Sequence, residues 1–324
     1  MKIIDFYIAR VFGMGIGARV EPNKDEKNTD LEIIQYDVIS PKYSLSDLIV
    51  PASTDEKISD FLAYKRHEQL IFKDWGLEQT HRHQKQIAIN FYGASGTGKT
   101  MAAHAIAKEL QQPLIRVEYA SLESKYVGET SKNITKVFKQ AKEKQAILFF
   151  DEADAILSHR VADMSHATDV SVNQTRSVLL SLMNDHQGLI IFTTNFIENY
   201  DSAFMRRILF HIHFELPDVI CREKLWGKYI PSTLPHNVNL KKLAEISGTL
   251  SGSDISNCVL KAAMSAARQG CHNLQLEHFM QAVNEVLQSK AANIKSKIKI
   301  EKHLVSDDYV KSQIGGESMQ EISS

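Results

Sequence analysis

A glycine-rich stretch at residues 90–100 constrains this chain more than any other part of its sequence. The stretch satisfies the phosphate-loop pattern G-x-x-x-x-G-K-[ST] through Gly93, Gly98, Lys99 and Thr100. An apolar run at 87–92 precedes it and favours a buried strand, while residues 101–110 favour a helix. Glycines allow successive backbone N–H groups to surround a phosphate, and the N-terminus of the following helix adds partial positive charge. The stretch therefore predicts a nucleotide site.

Two side chains of this loop have specific roles in such a site. The Lys99 ammonium is expected to reach the β- and γ-phosphates of ATP, and the Thr100 hydroxyl to hold Mg²⁺. We expect the nucleotide to contact the whole loop, namely Gly93, Ala94, Ser95, Gly96, Thr97, Gly98, Lys99, Thr100 and Met101.

Two acidic residues, Asp151 and Glu152, directly follow a second apolar run at residues 146–150. Because buried parallel strands end at the ligand crevice of an α/β sheet, both carboxylates are expected beside the nucleotide. Asp151 is predicted to hold Mg²⁺ through water, and Glu152 to polarise the attacking water as general base. Paired acids after a strand also serve as helix N-caps, but the preceding phosphate loop favours the chemical role.

A third apolar run, at residues 189–194, ends at Asn195. Its amide is predicted to orient the attacking water and to sense the γ-phosphate. A short helix at 201–207 then ends in Arg206 and Arg207, for which the sequence indicates no carboxylate partner. A solvated basic turn is the alternative to a catalytic role for this pair.

Bulk composition limits the class of protein. The chain has 324 residues and a formal net charge of −1, which gives no overall attraction to nucleic acid or to an anionic membrane. No apolar run approaches the roughly 20 residues that cross a bilayer, and the N-terminus lacks the pattern of a signal peptide. Three scattered cysteines are typical of reduced thiols. We therefore expect a cytoplasmic protein without a membrane partner.

Apolar runs alternate with helical patterns up to residue 216, and only helical patterns follow. This order predicts an α/β fold, in which a phosphate-loop αβα domain with a parallel sheet spans 45–216. A small all-helical domain is expected at 217–290.

The remaining segments give weaker signals. Residues 1–44 are predicted to form a short N-terminal segment, either a partner-binding arm or an added strand pair, and 291–324 a polar tail. A helix is expected to begin at Ser53 and to run toward Trp75.

The order of these motifs resembles the AAA+ superfamily, and within it the AAA branch of protein-remodelling ATPases that includes katanin, spastin and the ESCRT-disassembly ATPase. The resemblance covers residues 45–290 and implies a helical lid domain after the ATPase domain. It places Leu48, Ile49 and Ser253 beside the nucleotide. It also implies that Arg206 and Arg207 reach into the ATP site of a neighbouring subunit, so that the working site needs a homohexameric ring or spiral.

Residues 124–130, Ser-Lys-Tyr-Val-Gly-Glu-Thr, resemble the aromatic pore loop of that family. The resemblance implies that Lys125, Tyr126, Val127 and Gly128 face a central channel, where Tyr126 grips an extended polypeptide. A tyrosine ring offers a large amphipathic contact, and a glycine permits the loop to turn. Residues 159–167 are a candidate for a second pore loop.

The chain departs from the family pattern in two places. Ala94 and Ser95 replace the two prolines that are usual in the phosphate loop. The lid motif has Ser253 and Asp254 and no arginine at the second sensor position, which fits the AAA branch and argues against clamp loaders and replication initiators. Meiotic HORMA-remodelling ATPases keep that arginine, but their bacterial relatives are also compact single rings, so a HORMA-like partner is among the expectations.

The leading hypothesis is a Mg²⁺-dependent ATPase that forms a homohexamer and threads or remodels a protein partner. The alternatives are a nucleotide-gated assembly on DNA and a regulatory switch that binds ATP with little turnover. The predicted pore loop favours the first, and the near-neutral charge argues against DNA. Glu152 argues against a pure switch, because a switch does not need a general base.

Overall fold

The computed structural model describes residues 36–81, 87–118, 129–158, 167–196 and 200–297. Within these residues the chain forms a six-stranded sheet with helices on both faces, followed by a helical unit. This arrangement confirms the predicted α/β architecture of a parallel-sheet domain followed by a helical lid. No helix in these ranges is long and apolar enough to cross a membrane.

The strands are β1 (Val38–Ile39), β2 (Ile87–Tyr92), β3 (Leu114–Glu118), β4 (Ile147–Asp151), β5 (Leu189–Thr194) and β6 (Phe210–His213). Their spatial order is β1-β3-β4-β5-β2-β6, and every neighbouring pair is parallel except β1 with β3. The central strands are apolar runs because a parallel sheet covered on both faces buries every side chain. Their carboxyl ends lie at one edge of the sheet, which is where the predicted site residues follow them.

The helices of the first domain are α1 (Ala52–Arg66), α2 (Lys99–Glu109), α3 (Glu129–Lys144), α4 (Asp154–Leu157), α5 (Ala167–Asp185) and α6 (Ser202–Met205). The sheet separates two apolar cores, because successive strand side chains point to opposite faces. In β4, Ile147 and Phe149 pack with α1 and α2, and Leu148 and Phe150 pack with α3 and α5.

The lid consists of α7 (Val219–Tyr229), α8 (Leu240–Ile246), α9 (Gly252–Arg268) and α10 (Leu276–Lys297). Its core is built around Trp226, whose ring meets Phe279 edge to face at 5.8 Å. The indole N–H of Trp226 donates to the Ser247 hydroxyl at 3.1 Å, so this buried polar group is satisfied. The last helix continues to Lys297, so the segment predicted as a polar tail begins as helix.

The structure interrupts the predicted first helix at one residue. α1 ends at Arg66, His67 is a turn, and helical geometry resumes at residue 68 and includes the segment Leu70–Asp74, next to Trp75. The apolar stripe of α1 consists of Ile58, Phe61 and Leu62, and the polar run 65–69 supplies no residue to continue it. A surface helix is stabilised mainly by burying such a stripe, so it ends where the stripe ends.

β6 was not expected from the sequence, and β1 lies in the N-terminal segment, for which an added strand pair was one of the alternatives. β6 adds a parallel strand beside β2, and β1 adds an antiparallel strand at the opposite edge. Tyr36 is tied to the sheet domain, since its backbone N–H and C=O both bond to the Gln140 side chain, at 3.1 and 2.6 Å. The ATPase domain therefore includes residues 36–44, which were expected to belong to the N-terminal segment.

Candidate nucleotide site

The phosphate loop connects β2 to α2 at the carboxyl edge of the sheet. Gly93 has φ 138°, and a Cβ there would lie 2.3 Å from the carbonyl oxygen of Phe214, so a side chain does not fit. Gly96 has φ 77°, and its Cβ would lie 2.6 Å from the Ser251 hydroxyl. The loop is therefore enclosed between the sheet and the first turn of the lid helix α9.

Lys99 is the buried cation of the loop, with 9% of its surface exposed. Its ammonium donates to the carbonyl oxygens of Gly93 and Ala94, at 2.6 and 2.9 Å, and to the amide oxygen of Asn195 at 3.1 Å. All three acceptors are neutral. Burial lowers the pKa of Lys99, and three nearby carboxylates oppose this effect. A buried ammonium with only neutral acceptors is suited to bind an anion such as a phosphate.

Asp151 ends β4 and is held through both carboxylate oxygens. Its Oδ1 accepts a hydrogen bond from the Thr193 hydroxyl at 2.5 Å and from the Thr100 hydroxyl at 3.3 Å. Its Oδ2 accepts from the Arg116 guanidinium at 2.8 Å, and the same guanidinium contacts Glu118 at 3.2 Å. The carboxylate is 8% exposed, so these bonds fix its orientation beside Thr100.

The predicted metal ligands fit Mg²⁺ by the chemistry of their donors. Thr100 and Asp151 offer a hydroxyl and a carboxylate oxygen, which are hard ligands, within 3.3 Å of each other. Within the described ranges, no group of three or more His, Cys, Asp or Glu side chains could hold a metal by itself. Mg²⁺ in phosphate sites uses one or two protein oxygens together with phosphate and water. The pair therefore suits a metal that arrives with a nucleotide.

Glu152 differs from its neighbour in being exposed. Its φ of 52° lies in the left-handed region, which is uncommon for a residue other than glycine. Its backbone N–H donates to the Thr193 hydroxyl at 3.1 Å, the same hydroxyl that donates to Asp151. Thr193 therefore holds both acids through hydrogen bonds. Because of its left-handed backbone, Glu152 is exposed where Asp151 is buried, although both line the same cavity.

Asn195 directly follows β5 and is oriented from two sides. Its backbone N–H donates to the carboxylate oxygens of Asp154 at 3.1 and 3.3 Å, and the N–H of Phe196 donates to the same carboxylate at 3.2 Å. Its side-chain oxygen accepts from Lys99. The residue predicted to sense the γ-phosphate therefore contacts the residue predicted to bind it.

These groups surround a cavity of about 350 Å³. A smaller adjoining space, lined by Leu48 and Ile49, shares Met101 and Tyr229 with it. Leu48 packs into the core of the sheet domain and Ile49 into the core of the lid, so this segment joins the two. Among the predicted nucleotide residues, the larger cavity is lined by Ser95, Gly96, Gly98, Lys99, Thr100, Met101 and Ser253.

Arg206 and Arg207 line neither of these spaces. Arg206 is exposed, and among the described residues its side chain donates to the carbonyl oxygen of Ser202, at 3.3 Å. Arg207 donates to the Asn184 amide oxygen at 3.0 Å and to the carbonyl oxygen of Ala203 at 2.9 Å. In the part of the chain that the structure describes, no carboxylate forms a salt bridge with either guanidinium. The structure therefore does not bring the arginine pair to the phosphate loop of its own chain.

The predicted pore loop, Lys125, Tyr126, Val127 and Gly128, lies outside the described residues, as do residues 159–166 of the second candidate loop.

Sequence reasoning missed six residues of the site: Arg116, Asp154, Thr193, Thr194, Tyr43 and Tyr229. Thr193 stands in the polar end of a predicted strand beside Asn195, which is a signal that could have found it. Arg116 gives no such signal, because its contact with Asp151 depends on the pairing of β3 with β4. Tyr43 lies in the N-terminal residues of the sheet domain and Tyr229 ends the lid helix α7, so only the folded chain brings both to the cavity.

Comparison with known proteins adds family information. Residues 89–217 match the model of the ATPase family associated with various cellular activities (AAA), and residues 237–281 match an AAA+ lid domain. The first match includes the phosphate loop, the acidic pair, Asn195 and the arginine pair.

Three relatives are similar to most of this chain but extend beyond it. The proteasome-activating nucleotidase of Saccharolobus solfataricus is 31% identical over 224 residues, which is 67% of this chain and 55% of that protein. The proteasome-activating nucleotidase of Methanosarcina mazei is 32% identical over 206 residues, 61% of this chain and 49% of the relative. The 26S proteasome regulatory subunit 4 homolog of Saccharomyces cerevisiae is 29% identical over 278 residues, 82% of this chain and 61% of the relative. The chain thus spans about half to three fifths of the length of these curated relatives.

Proposed function

Because the chain belongs to the AAA family of ATPases, we propose that it is an ATP-driven motor that remodels or unfolds a protein partner as a homohexamer. The observation that carries the proposal is the cavity in which Lys99, Thr100, Asp151, Glu152 and Asn195 meet. Binding, metal-holding and base groups converge there, and this is the set that phosphoryl transfer to water requires.

Each residue of the cavity has a role that follows from its setting. Lys99 binds the β- and γ-phosphates, since its ammonium is buried with neutral acceptors. Thr100 and Asp151 would hold Mg²⁺, which would supply positive charge to offset the charge that develops on the phosphate. Glu152 takes a proton from the attacking water, and Asn195 holds that water or the γ-phosphate in place.

The arginine pair supports assembly into a ring. Arg206 and Arg207 lie outside the cavity of their own chain and carry charges that no carboxylate in the described residues pairs with. An arginine supplied at the γ-phosphate is worth on the order of 10³–10⁵ in rate. A second copy that offers its arginines to this cavity would complete the site, so hydrolysis takes place between subunits.

A protein partner is proposed from the pore-loop resemblance and from the relatives. Tyr126 would grip an extended polypeptide in the channel along the ring axis. The relatives carry proteasome activation and proteasome regulation in their names, which supports work on protein substrates. None of the relatives named above points to a HORMA-like partner, which stays a prediction from the sequence.

The test uses Glu152→Gln, which keeps the shape of the side chain and removes the base. We expect this variant to bind ATP normally, to hydrolyse it about 10²–10³-fold more slowly, and to stay in an oligomer that retains a bound protein. ATP binding, turnover and mass by light scattering are the measurements. Glu143→Gln, on the exposed surface of α3, is the matched control and should behave as the parent.

Two results would overturn the proposal. The first is a Glu152→Gln variant that turns over ATP at the parent rate, and the second is a protein that hydrolyses ATP at full rate as a monomer. Salt-sensitive stimulation of the ATPase by duplex DNA, without stimulation by unfolded protein, would favour the alternative of an assembly on DNA.

A further inference from the structure

A buried tyrosine connects the nucleotide cavity to the helix that carries the arginine pair. We propose that the hydroxyl of Tyr200 fixes the position of α6 against the end of β5, and that Tyr200 thereby sets where Arg206 and Arg207 are presented to a neighbouring copy. Tyr200 is a positioning residue in this account, since it does not line the nucleotide cavity. The inference rests on the proposed function, because it assumes that the arginines act between subunits.

The first observation is the hydrogen bonding of Tyr200, which is 5% exposed. Its hydroxyl bonds to the hydroxyl of Thr194 and to the amide oxygen of Asn90, the latter at 3.3 Å. All three groups lie in or beside an apolar core, where the loss of one partner leaves the others unsatisfied. Burial raises the pKa of Tyr200 above its usual value, so the hydroxyl stays protonated near neutral pH.

The second observation is the position of Tyr200 at the start of the arginine helix. Its backbone pairs with Ser158 in an isolated antiparallel bridge, and the N–H of Asp201 donates to the Leu157 carbonyl at 2.9 Å. The Asp201 side chain then accepts from the N–H of Ala203 at 2.8 Å and caps α6. α6 has only four residues, and the arginine pair directly follows it. A displacement of Tyr200 would therefore be passed on to both guanidinium groups.

The third observation is the location of the hydrogen-bond partners. Thr194 is the last residue of β5, lines the nucleotide cavity and precedes Asn195, which contacts Lys99. Asn90 lies within β2, the strand that leads into the phosphate loop. The Tyr200 hydroxyl thus links β2 and β5 to the segment that precedes α6. These two strands lead into the phosphate loop and Asn195, and α6 leads into the arginine pair. A packed apolar side chain would allow α6 to shift, whereas the two directional hydrogen bonds of the Tyr200 hydroxyl favour one position of the helix.

The experiment compares Tyr200→Phe with Tyr64→Phe. Tyr64 is a matched control because its hydroxyl is also buried but has no hydrogen-bond partner in the described part of the chain. In Tyr200→Phe we expect ATP affinity within about twofold of the parent and kcat lowered about tenfold to a hundredfold, since a 1 Å misplacement of a catalytic group has an effect of this size. Tyr64→Phe should retain the parent kcat. Light scattering and thermal unfolding check that both variants assemble and fold.

Mixed oligomers then locate the defect. Subunits with Glu152→Gln are inactive but offer intact arginines, so mixing them with Tyr200→Phe subunits should restore activity. Mixing Tyr200→Phe with the double variant Arg206→Ala, Arg207→Ala should restore none, because both fail to supply arginines. Activity restored by the arginine double variant but not by Glu152→Gln would place the defect in the cavity of the Tyr200→Phe subunit itself and would overturn the inference. A Tyr200→Phe variant that behaves as Tyr64→Phe would also overturn it.

A separate mixture tests the proposed function itself. The arginine double variant mixed with Glu152→Gln subunits should regain activity, whatever Tyr200→Phe does. If it does not regain activity in oligomers shown to be mixed, the arginines do not act between subunits, and the proposed function fails together with this inference.

Discussion

Two sets of cations in this molecule, Lys99 in the phosphate loop and the Arg206–Arg207 pair, occupy opposite settings. The ammonium of Lys99 is enclosed, makes three hydrogen bonds and lies in the nucleotide cavity. Arg206 is exposed, and neither arginine lines that cavity. The enclosed ammonium is placed to bind a ligand in the cavity of its own chain, whereas the arginine pair is placed where a second molecule could reach it. In the proposed function, Lys99 belongs to the binding half of the reaction, which one chain performs, and the arginine pair to the half that a second chain would supply.

The two settings also differ in what holds them. Lys99 and Asn195 follow β2 and β5, which are neighbouring central strands paired over six residues each. The arginines follow a helix of four residues, and a helix of that length is not stable by itself. The binding half is therefore fixed by the sheet, and the arginine half depends on the contacts around α6.

The largest expected effect comes from removing the arginines. The double variant Arg206→Ala, Arg207→Ala should lower kcat by about 10³-fold or more while ATP affinity changes about threefold or less, because the pair lies outside the cavity. Steady-state hydrolysis and equilibrium binding of ATP measure the two effects separately.

The control is Arg66→Ala, which removes an arginine in a surface ion pair with Glu109, the kind of pair that contributes little. A loss of ATP affinity as large as the loss of turnover would contradict the comparison, since it would place the arginines in the binding half.

The next effect is on binding. Lys99→Ala should weaken ATP binding about a hundredfold, equivalent to about 2.7 kcal/mol, because the substitution removes the buried ammonium that faces the phosphates. Calorimetric titration with ATP in the presence of Mg²⁺ is the measurement.

Lys261→Ala is the matched control, because that ammonium is exposed on the lid and paired with Glu285 at 3.0 Å. It should bind ATP as the parent does. An unchanged affinity in Lys99→Ala would show that the enclosed cation is structural and would remove one side of the comparison.

Much of the binding half could be predicted from the sequence, because it depends on local patterns. The phosphate loop is continuous in sequence, and Asp151 and Asn195 directly follow apolar runs. In a parallel sheet the carboxyl ends of such strands meet at one edge, so residues far apart in sequence are expected to converge. Lys99 bonding to Asn195 is the result.

The remaining contacts could not be predicted, because they depend on register and on packing between distant segments. Arg116 reaches Asp151 only because β3 and β4 pair in the register that places Glu118 opposite Asp151. Tyr200 bonds to Asn90 across 110 positions of sequence. β1 has two residues, which is too short for any alternation of apolar and polar residues to be recognised.

The smallest expected effect concerns Arg116, a cation that is neither enclosed like Lys99 nor free of carboxylate contacts like the arginine pair in the described residues. Its side chain is 42% exposed, and its guanidinium bonds to both Asp151 and Glu118. The positive guanidinium of Arg116 beside Asp151 opposes the approach of Mg²⁺ to the same carboxylate, but solvent screens much of this repulsion. Arg116→Ala should therefore lower the Mg²⁺ concentration for half-saturation by only about threefold. Titration of Mg²⁺ into ATP-bound protein carrying Glu152→Gln measures this without turnover.

Glu118→Gln provides a test with the opposite sign. Removing that carboxylate leaves the guanidinium of Arg116 to Asp151 alone, so the Mg²⁺ requirement should rise rather than fall. Opposite shifts in the two variants would mean that Arg116 tunes the metal side of the cavity through its charge. If both variants require the same Mg²⁺ concentration as the parent, the guanidinium of Arg116 only orients Asp151 through its hydrogen bond. Its charge would then contribute nothing to metal binding.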